Sequence, residues 1–128
     1  MIICAGESLI DMVSFAAENG EVQYSPHVGG SILNSAIALG RLGADAHYCG
    51  AVSNDTFGGL IEDCLRDSKV QEDFVIKTNR HTTLAYADVT DGVAKYTFVD
   101  EHSAGRLIDE NSLKPFVNKI KNAKALLV

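Results

Sequence analysis

The chain has 128 residues, of which 46% are hydrophobic and 22% charged, and its formal net charge is -6. This length fits one domain, and this composition is ordinary for a globular protein. No lysine or arginine precedes Arg41, so the first third lacks the clustered bases that nucleic acids require. No secretory signal is recognisable and no segment reaches the length of a membrane span, so we expect no membrane association and a cytoplasmic location.

The spacing of the metal-binding residue types argues against a metal site. Cys4, Cys49 and Cys64 are odd in number and widely separated, and they form no Cys-x-x-Cys pair. The four histidines also lack the spacing of metal ligands. We therefore expect reduced thiols and no metal ligands in this chain.

Strand and helix patterns alternate at the two ends of the chain. In chain order the sequence predicts strands near 1–5, 46–52 and 124–128, and helices near 32–42, 57–67 and 109–121. Asp55 or Thr56 is placed to cap the second helix. This alternation predicts an α/β fold with a parallel sheet covered by helices.

The middle of the chain departs from that alternation. Segments 13–16 and 22–27 flank Asn19-Gly20, and segments 83–89 and 94–99 flank Asp91-Gly92, two strong hairpin signals. A two-residue turn at the second signal pairs Asp88 with Lys95, and Ala87 with Tyr96. We expect the segments 13–27 and 83–99 to form a separate small sheet that acts as a lid.

Two adjacent glycines, Gly29 and Gly30, run directly into the first helix, and Asn34 lies in its first turn. Glycines allow close backbone approach to a ligand, a helix start presents free N–H groups, and an amide side chain both donates and accepts hydrogen bonds. These parts suit a pocket for a small polar molecule, and an acidic chain suits a neutral polyol. The alternatives are a tight turn at the glycines and a turn-capping role for Asp11.

Several motifs of the chain occur together in a familiar order. They are Gly6-Glu7-Ser8-Leu9-Ile10-Asp11-Met12, Gly29-Gly30-x-x-x-Asn34-x-Ala36, Arg41-Leu42-Gly43-Ala44, Asn54-Asp55-x-Phe57-Gly58, Thr82-Thr83-Leu84-Ala85, Tyr96-Thr97-Phe98 and Glu101-His102-Ser103-Ala104-Gly105-Arg106. This set resembles the first signature of the ribokinase-like (PfkB) carbohydrate kinases and, among them, the bacterial fructokinases. The resemblance covers residues 1–128, and the ordered spacing of several motifs makes it specific.

The resemblance implies phosphoryl transfer from ATP, with Mg²⁺, to a sugar, most simply to the 6-hydroxyl of D-fructose. It implies the N-terminal part of a Rossmann-type parallel sheet with a small β-sheet lid. By the same resemblance, Asp11 and Asn34 would hydrogen-bond the sugar, and Gly29 and Gly30 would lie against it. The residues expected to cover or reach the sugar from the lid are Tyr86, Tyr96, Phe98 and Arg106.

The chain also departs from the family pattern. Ser31 and Gly105 stand where many relatives have other residues, and the family's second signature is absent. We therefore expect residues 1–128 to be the N-terminal part of one kinase domain. The catalytic residues and most of the ATP and Mg²⁺ site would lie in a C-terminal half, so the chain alone would be inactive.

Three functions stay open at this point. The first is a fructokinase, with a small-molecule sugar as its partner and a homodimer through the lid as an option. The second is a kinase for another small substrate, such as 2-keto-3-deoxygluconate, ribose or a nucleoside. The third is a non-catalytic sugar-binding or dimerisation module.

Overall fold

The computed structural model of the chain describes residues 1–90 and 93–128. The strands of these residues are β1 (Ile2–Ala5), β2 (Leu9–Ala16), β3 (Val22–Gly29), β4 (Ala46–Ser53), β5 (Gln71–Thr78), β6 (Thr83–Thr90), β7 (Val93–Val99) and β8 (Ala125–Leu127). The helices are α1 (Ser31–Arg41), α2 (Thr56–Asp67), α3 (Glu110–Leu113) and α4 (Val117–Ile120). Short 3-10 turns cover Ala104–Arg106 and Lys114–Phe116.

The strands predicted at the two ends of the chain form one parallel sheet, called here the central sheet. Its order is β5-β4-β1-β8, with β1 parallel to both β4 and β8. Ile2 lies opposite Ala46 on one side and Ala125 on the other. This arrangement confirms the predicted α/β fold, in which the carboxyl ends of parallel strands meet at one edge.

A second sheet, called here the lid sheet, has the order β3-β2-β6-β7. Its two antiparallel hairpins are joined where β2 and β6 run parallel to each other. Asp88 lies opposite Lys95, and Ala87 opposite Tyr96, which confirms the predicted register. The predicted turn at Asp91-Gly92 lies outside the described residues.

The lid strands are longer than predicted at their inner ends. β2 begins at Leu9 and β3 continues to Gly29. The sequence left a turn-capping role open for Asp11, but this residue lies inside β2, opposite His27. The ladder with β3 therefore places this carboxylate on the lid sheet itself.

Two other features differ from the prediction. β5 was not predicted, because Glu72, Asp73 and Lys77 interrupt its apolar pattern at the edge of the central sheet. The helix expected over 109–121 is divided into α3, a 3-10 turn and α4. Pro115 occupies the start of that 3-10 turn, and a proline interrupts a helix because it lacks an N–H donor.

Two apolar clusters lie against opposite faces of the central sheet. Cys4 belongs to one cluster and its strand neighbour Ile3 to the other, as the alternation of a strand requires. The larger cluster includes Leu33, Ala36 and Ile37 of α1, Ile61 and Leu65 of α2, and Ile10 of the lid sheet. Because Ile10 is fully buried there, the base of the lid sheet is anchored in the core.

Candidate functional site

The carboxylate of Asp11 lies against the backbone of Gly29. A Cβ added at Gly29 would come within 2.2 Å of Asp11 Oδ2 and 3.1 Å of a Leu9 methyl carbon. Leu9 is the strand partner of Gly29, so the β2–β3 ladder sets this contact. The absence of a side chain at Gly29 leaves the space that the carboxylate occupies.

Gly30 holds the start of α1 close to the loop after β1. Its φ of +111° is unfavourable for other residues, and an added Cβ would lie 2.9 Å from the Glu7 carbonyl oxygen. The Ser31 hydroxyl donates to Glu7 Oε1 at 3.4 Å. Glu7 thus lies beside the glycine pair, two residues after the end of β1.

The first turn of α1 is left without a side-chain cap. Gly30 is the N-cap residue and has no side chain that could cap the helix, while its backbone carbonyl accepts from the Asn34 N–H at 2.9 Å. The Asn34 side chain itself is exposed on this turn. Free N–H groups at a helix start, together with an exposed amide, are suited to binding a polar ligand.

A cavity of about 240 Å³ opens next to these residues. Its lining consists of Glu7, Leu9, Thr83, Phe98, Asp100, Gly105 and Arg106. These residues come from the loop after β1, from three strands of the lid sheet or their ends, and from the 3-10 turn. The site is therefore assembled where the central sheet meets the base of the lid sheet.

The charges around the cavity are mostly acidic. Arg106 donates from Nε to Asp100 Oδ2 at 3.0 Å and from Nη2 to the same oxygen. Glu7 adds a second, exposed carboxylate to the lining. Over residues 1–90 and 93–128, no cluster of three or more His, Cys, Asp or Glu side chains is placed to hold a metal ion.

The strand register divides the aromatic residues of the lid sheet between its two faces. Asp11, Ala85 and Phe98 lie in one row across β2, β6 and β7, and Tyr96 is two positions away on the same face. The rings of Tyr96 and Phe98 are stacked with centroids 6.2 Å apart. Tyr86 pairs with Met12 and so lies on the opposite face, where its ring meets Tyr24 edge-on at 5.2 Å.

The structure thus brings together most, but not all, of the site residues that were predicted from the sequence. Phe98 and Arg106 line the cavity, and Asp11, Gly29, Gly30 and Asn34 border the adjoining start of α1 and base of the lid sheet. Tyr86 is separated from them by the thickness of the lid sheet. Sequence reasoning missed Glu7 and Asp100 as cavity residues, although each lies within two residues of the end of a strand that leads into the site.

Asp55 connects α2 to the base of the lid sheet. Its carboxylate accepts from the Gly58 N–H at 2.8 Å as the helix cap, and from the Thr82 N–H and hydroxyl at 2.8 and 2.7 Å. Partial burial raises the pKa of Asp55, but the bonds from Thr82 and Gly58 outweigh it and hold the pKa below the usual range. Asp55 is therefore a structural carboxylate, as its capping position predicted.

Fold and site together define a class of protein: an α/β domain with a second, smaller sheet and a cavity where the two sheets meet. The pfkB family carbohydrate kinase pattern matches residues 1–128, and the chain belongs to this family. Over the described residues, no helix has the length and apolar character needed to cross a bilayer.

Several fructokinases are similar to this chain in sequence or in structure. The chain is 40% identical to "Fructokinase" of Rhizobium leguminosarum bv. trifolii, with 84% of the chain and 33% of that relative covered. It is 31% identical to "Probable fructokinase-6, chloroplastic" of Arabidopsis thaliana, with 96% and 33% covered. The fructokinase with bound ATP from Xylella fastidiosa superposes with a TM-score of 0.79 at 27% identity, covering 87% of this chain and 36% of that one. The chain thus spans about a third of these proteins.

Proposed function

We propose that the protein is an ATP-dependent sugar kinase that phosphorylates the 6-hydroxyl of D-fructose, and that residues 1–128 are the sugar-binding part of its kinase domain. Membership of the pfkB family and 40% identity to a fructokinase support this proposal. A kinase for 2-keto-3-deoxygluconate is less favoured, because a sugar acid needs a free cation and Arg106 is already paired with Asp100.

The observation that carries the proposal is the contact between Asp11 and Gly29. A carboxylate held on a strand against a bare backbone presents acceptor oxygens beside the free N–H groups of α1. Sugar hydroxyls can donate to the carboxylate and accept from N–H groups at once. We assign sugar binding to Asp11, Gly29, Gly30 and Asn34, with Phe98, Tyr96 and Arg106 at the lid, and we add Glu7.

The residues that line the cavity do not fit a nucleotide. Among the residues lining the cavity, Arg106 is the one cation, and it is engaged by Asp100. A triphosphate with Mg²⁺ requires several donors or cations and carboxylate ligands of the metal. We therefore assign ATP and Mg²⁺ binding, and the catalytic base, to the remainder of the full-length protein, and we expect this chain alone to bind sugar without phosphorylating it.

The exposed face of the lid sheet supports a further part of the proposal. Phe15, Tyr96 and Phe98 share the face of Asp11 and are 48%, 54% and 57% exposed. Exposed aromatic residues on one sheet face suit a homodimer formed through the lid. We also infer a cytoplasmic location, in which the three free cysteines stay reduced.

The test is steady-state kinetics of the full-length protein with fructose, ribose and 2-keto-3-deoxygluconate as acceptors. We expect the highest kcat/KM for fructose. Asp11→Asn should lower kcat/KM for fructose about ten- to a hundredfold, because charge-assisted hydrogen bonds to the sugar are lost, while the KM for ATP stays unchanged. Gly29→Ala should act in the same direction by displacing the Asp11 carboxylate.

Asp88→Asn is the matched control. It makes the same chemical change in the same sheet, at a position on the face opposite Asp11, where Asp88 accepts from the Tyr24 hydroxyl. We expect unchanged fructose kinetics for this variant. Equal effects of Asp11→Asn and Asp88→Asn would overturn the proposed role of Asp11. A higher kcat/KM for another acceptor would overturn fructose as the proposed substrate.

A further inference from the structure

His81 lies at the entrance to the β6–β7 hairpin with a carbonyl oxygen at each ring nitrogen. Nδ1 is 2.9 Å from the Thr82 carbonyl oxygen, and Nε2 is 2.9 Å from the Glu101 carbonyl oxygen. Thr82 directly precedes β6, and Glu101 follows the end of β7 by two residues. The imidazole therefore bridges the two ends of the hairpin.

This geometry specifies the protonation state of the ring. A carbonyl oxygen only accepts hydrogen bonds, so each ring nitrogen must donate to form one. A neutral imidazole carries one N–H and would leave a lone pair facing the other carbonyl. Both bonds are made at once only by the imidazolium, which carries a proton on each nitrogen.

Other contacts connect the same two segments. The Ala104 N–H donates to the His81 carbonyl at 2.8 Å, and the hydroxyls of Thr83 and Ser103 are 2.7 Å apart. The segment held in this way, residues 100–106, supplies Asp100, Gly105 and Arg106 to the cavity. The Glu101 carbonyl is one residue from Asp100, so its position affects the carboxylate that pairs with Arg106.

The surroundings of the ring favour its cationic form. The hydrogen bonds to the Thr82 and Glu101 carbonyls are the main cause that raises the pKa of His81; desolvation lowers it, and the carboxylates of Asp55 and Asp100 raise it. Asp55 faces the ring from the start of α2, and Asp100 from the segment after β7. Arg106, which is paired with Asp100, is the neighbouring cation.

We propose that His81 is a positioning residue of the site, acting through its doubly protonated ring. It joins the ends of the β6–β7 hairpin and thereby sets the positions of Asp100 and Arg106 at the cavity. The consequence for sugar binding rests on the proposed function. Because the raised pKa belongs to the folded protein, the bridge is complete at low pH and is lost as pH rises through that value.

The first test does not depend on enzymatic activity. The ¹⁵N NMR signals of the His81 ring, assigned by comparison with His81→Gln in the full-length protein, report which nitrogens are protonated. We expect both to carry protons at neutral pH, with a transition above the ordinary histidine pKa of about 6.5. A single neutral tautomer at neutral pH, or a transition at or below the ordinary value, would overturn the proposal.

The second test measures the positioning itself. In wild-type protein below the transition, the Ala104 and Arg106 amides should exchange with solvent more slowly than in His81→Gln, and above it the two proteins should converge. His102→Asn, at an exposed histidine in the same segment, is the matched control and should behave as wild type. Equal exchange in wild type and His81→Gln at all pH values would contradict a positioning role.

The third test concerns the sugar. The wild-type KM for fructose should rise about three- to tenfold as pH rises through the His81 transition. His81→Gln should have the raised KM at every pH. His81→Arg stays cationic and should keep the low KM at every pH. A pH profile shared by all three proteins would contradict the link to the site. Absence of fructose phosphorylation in wild type would instead count against the proposed function, and the NMR and exchange results would still decide the role of His81.

Discussion

The central sheet and the lid sheet each have four strands but bury their side chains to different extents. In β4, every residue from Tyr48 to Ser53 is buried, because helices or turns cover both faces. In β7, Tyr96, Phe98 and Val99 are all about half exposed. The central sheet therefore supplies most of the stabilising burial, whereas the lid sheet keeps apolar side chains available for contacts outside the chain.

The lid sheet shows the same division between its own two faces. Near its base, Ile10, Val28 and Leu84 pack into the larger core cluster, while Asp11 and Phe98 point to the other side. One face thus anchors the sheet, and the other carries Asp11 and the exposed rings of Tyr96 and Phe98. In this protein, the role of a phenylalanine or an aspartate therefore depends on its sheet and on the face of that sheet, and not on the residue type alone.

The largest expected difference is between two phenylalanine truncations. Phe74→Ala should lower the free energy of unfolding by about 3–5 kcal/mol, because Phe74 is 1% exposed and packs against Phe116 and His47. Phe98→Ala should lower it by less than about 1 kcal/mol, because that ring is 57% exposed. Urea unfolding of both variants measures the difference.

The effects of the two substitutions on the KM for fructose should have the opposite order, with the larger effect at Phe98. Phe98 lines the cavity, so Phe98→Ala should raise the KM for fructose, while folded Phe74→Ala should bind the sugar normally. Similar losses of stability in the two variants would remove the proposed distinction between the sheets. A Phe98→Ala protein with normal KM would remove Phe98 from the site.

A smaller effect is expected at the junction of the two sheets. Asp55→Ala should lower the free energy of unfolding by about 0.5–2 kcal/mol at neutral pH, because the α2 cap and the bonds from Thr82 are lost. The pKa of Asp55 is lowered in the folded protein, so its contribution is present above the unfolded pKa and is lost as pH falls through the folded value.

Unfolding measured between neutral pH and pH 2 should therefore show the Asp55→Ala and wild-type curves approaching each other in acid. Asp55→Asn serves as the control, since asparagine caps helices well but does not titrate. It should lose less stability than the alanine variant at neutral pH. A stability difference between wild type and Asp55→Ala that is constant with pH would contradict the assigned role of the charge.

The smallest effect is expected on the face of the lid sheet that carries Tyr86, away from the anchored base of that face. Tyr24→Phe removes the hydroxyl that donates to Asp88 Oδ1 at 2.8 Å, at an exposed position on the face of Tyr86. We expect little change in the free energy of unfolding and unchanged fructose kinetics, because exposed hydrogen bonds exchange with water. A marked rise in KM would show that both faces of the lid sheet contribute to the site.

Much of the fold was predictable from local patterns. Apolar runs predicted β1, β4 and β8, helical spacing predicted α1 and α2, and opposite charges predicted the pairing of Asp88 with Lys95. These features depend on residues close in sequence or on cross-strand partners near one turn. β5 and the break at Pro115 were missed, the first because its residues are half-exposed and charged, and the second because the apolar pattern continues through the proline.

What the sequence alone determined is the α/β class, the family and the residue types available for a polar ligand, because each depends on patterns and motifs along the chain. The tertiary structure decided which of those residues meet. It joined β2 to β6 in parallel, placed Asp11 on a strand against Gly29 and separated Tyr86 from Phe98. The physical reason is that strand register sets the face of every side chain, and the register between distant strands follows from burial of one face against the core.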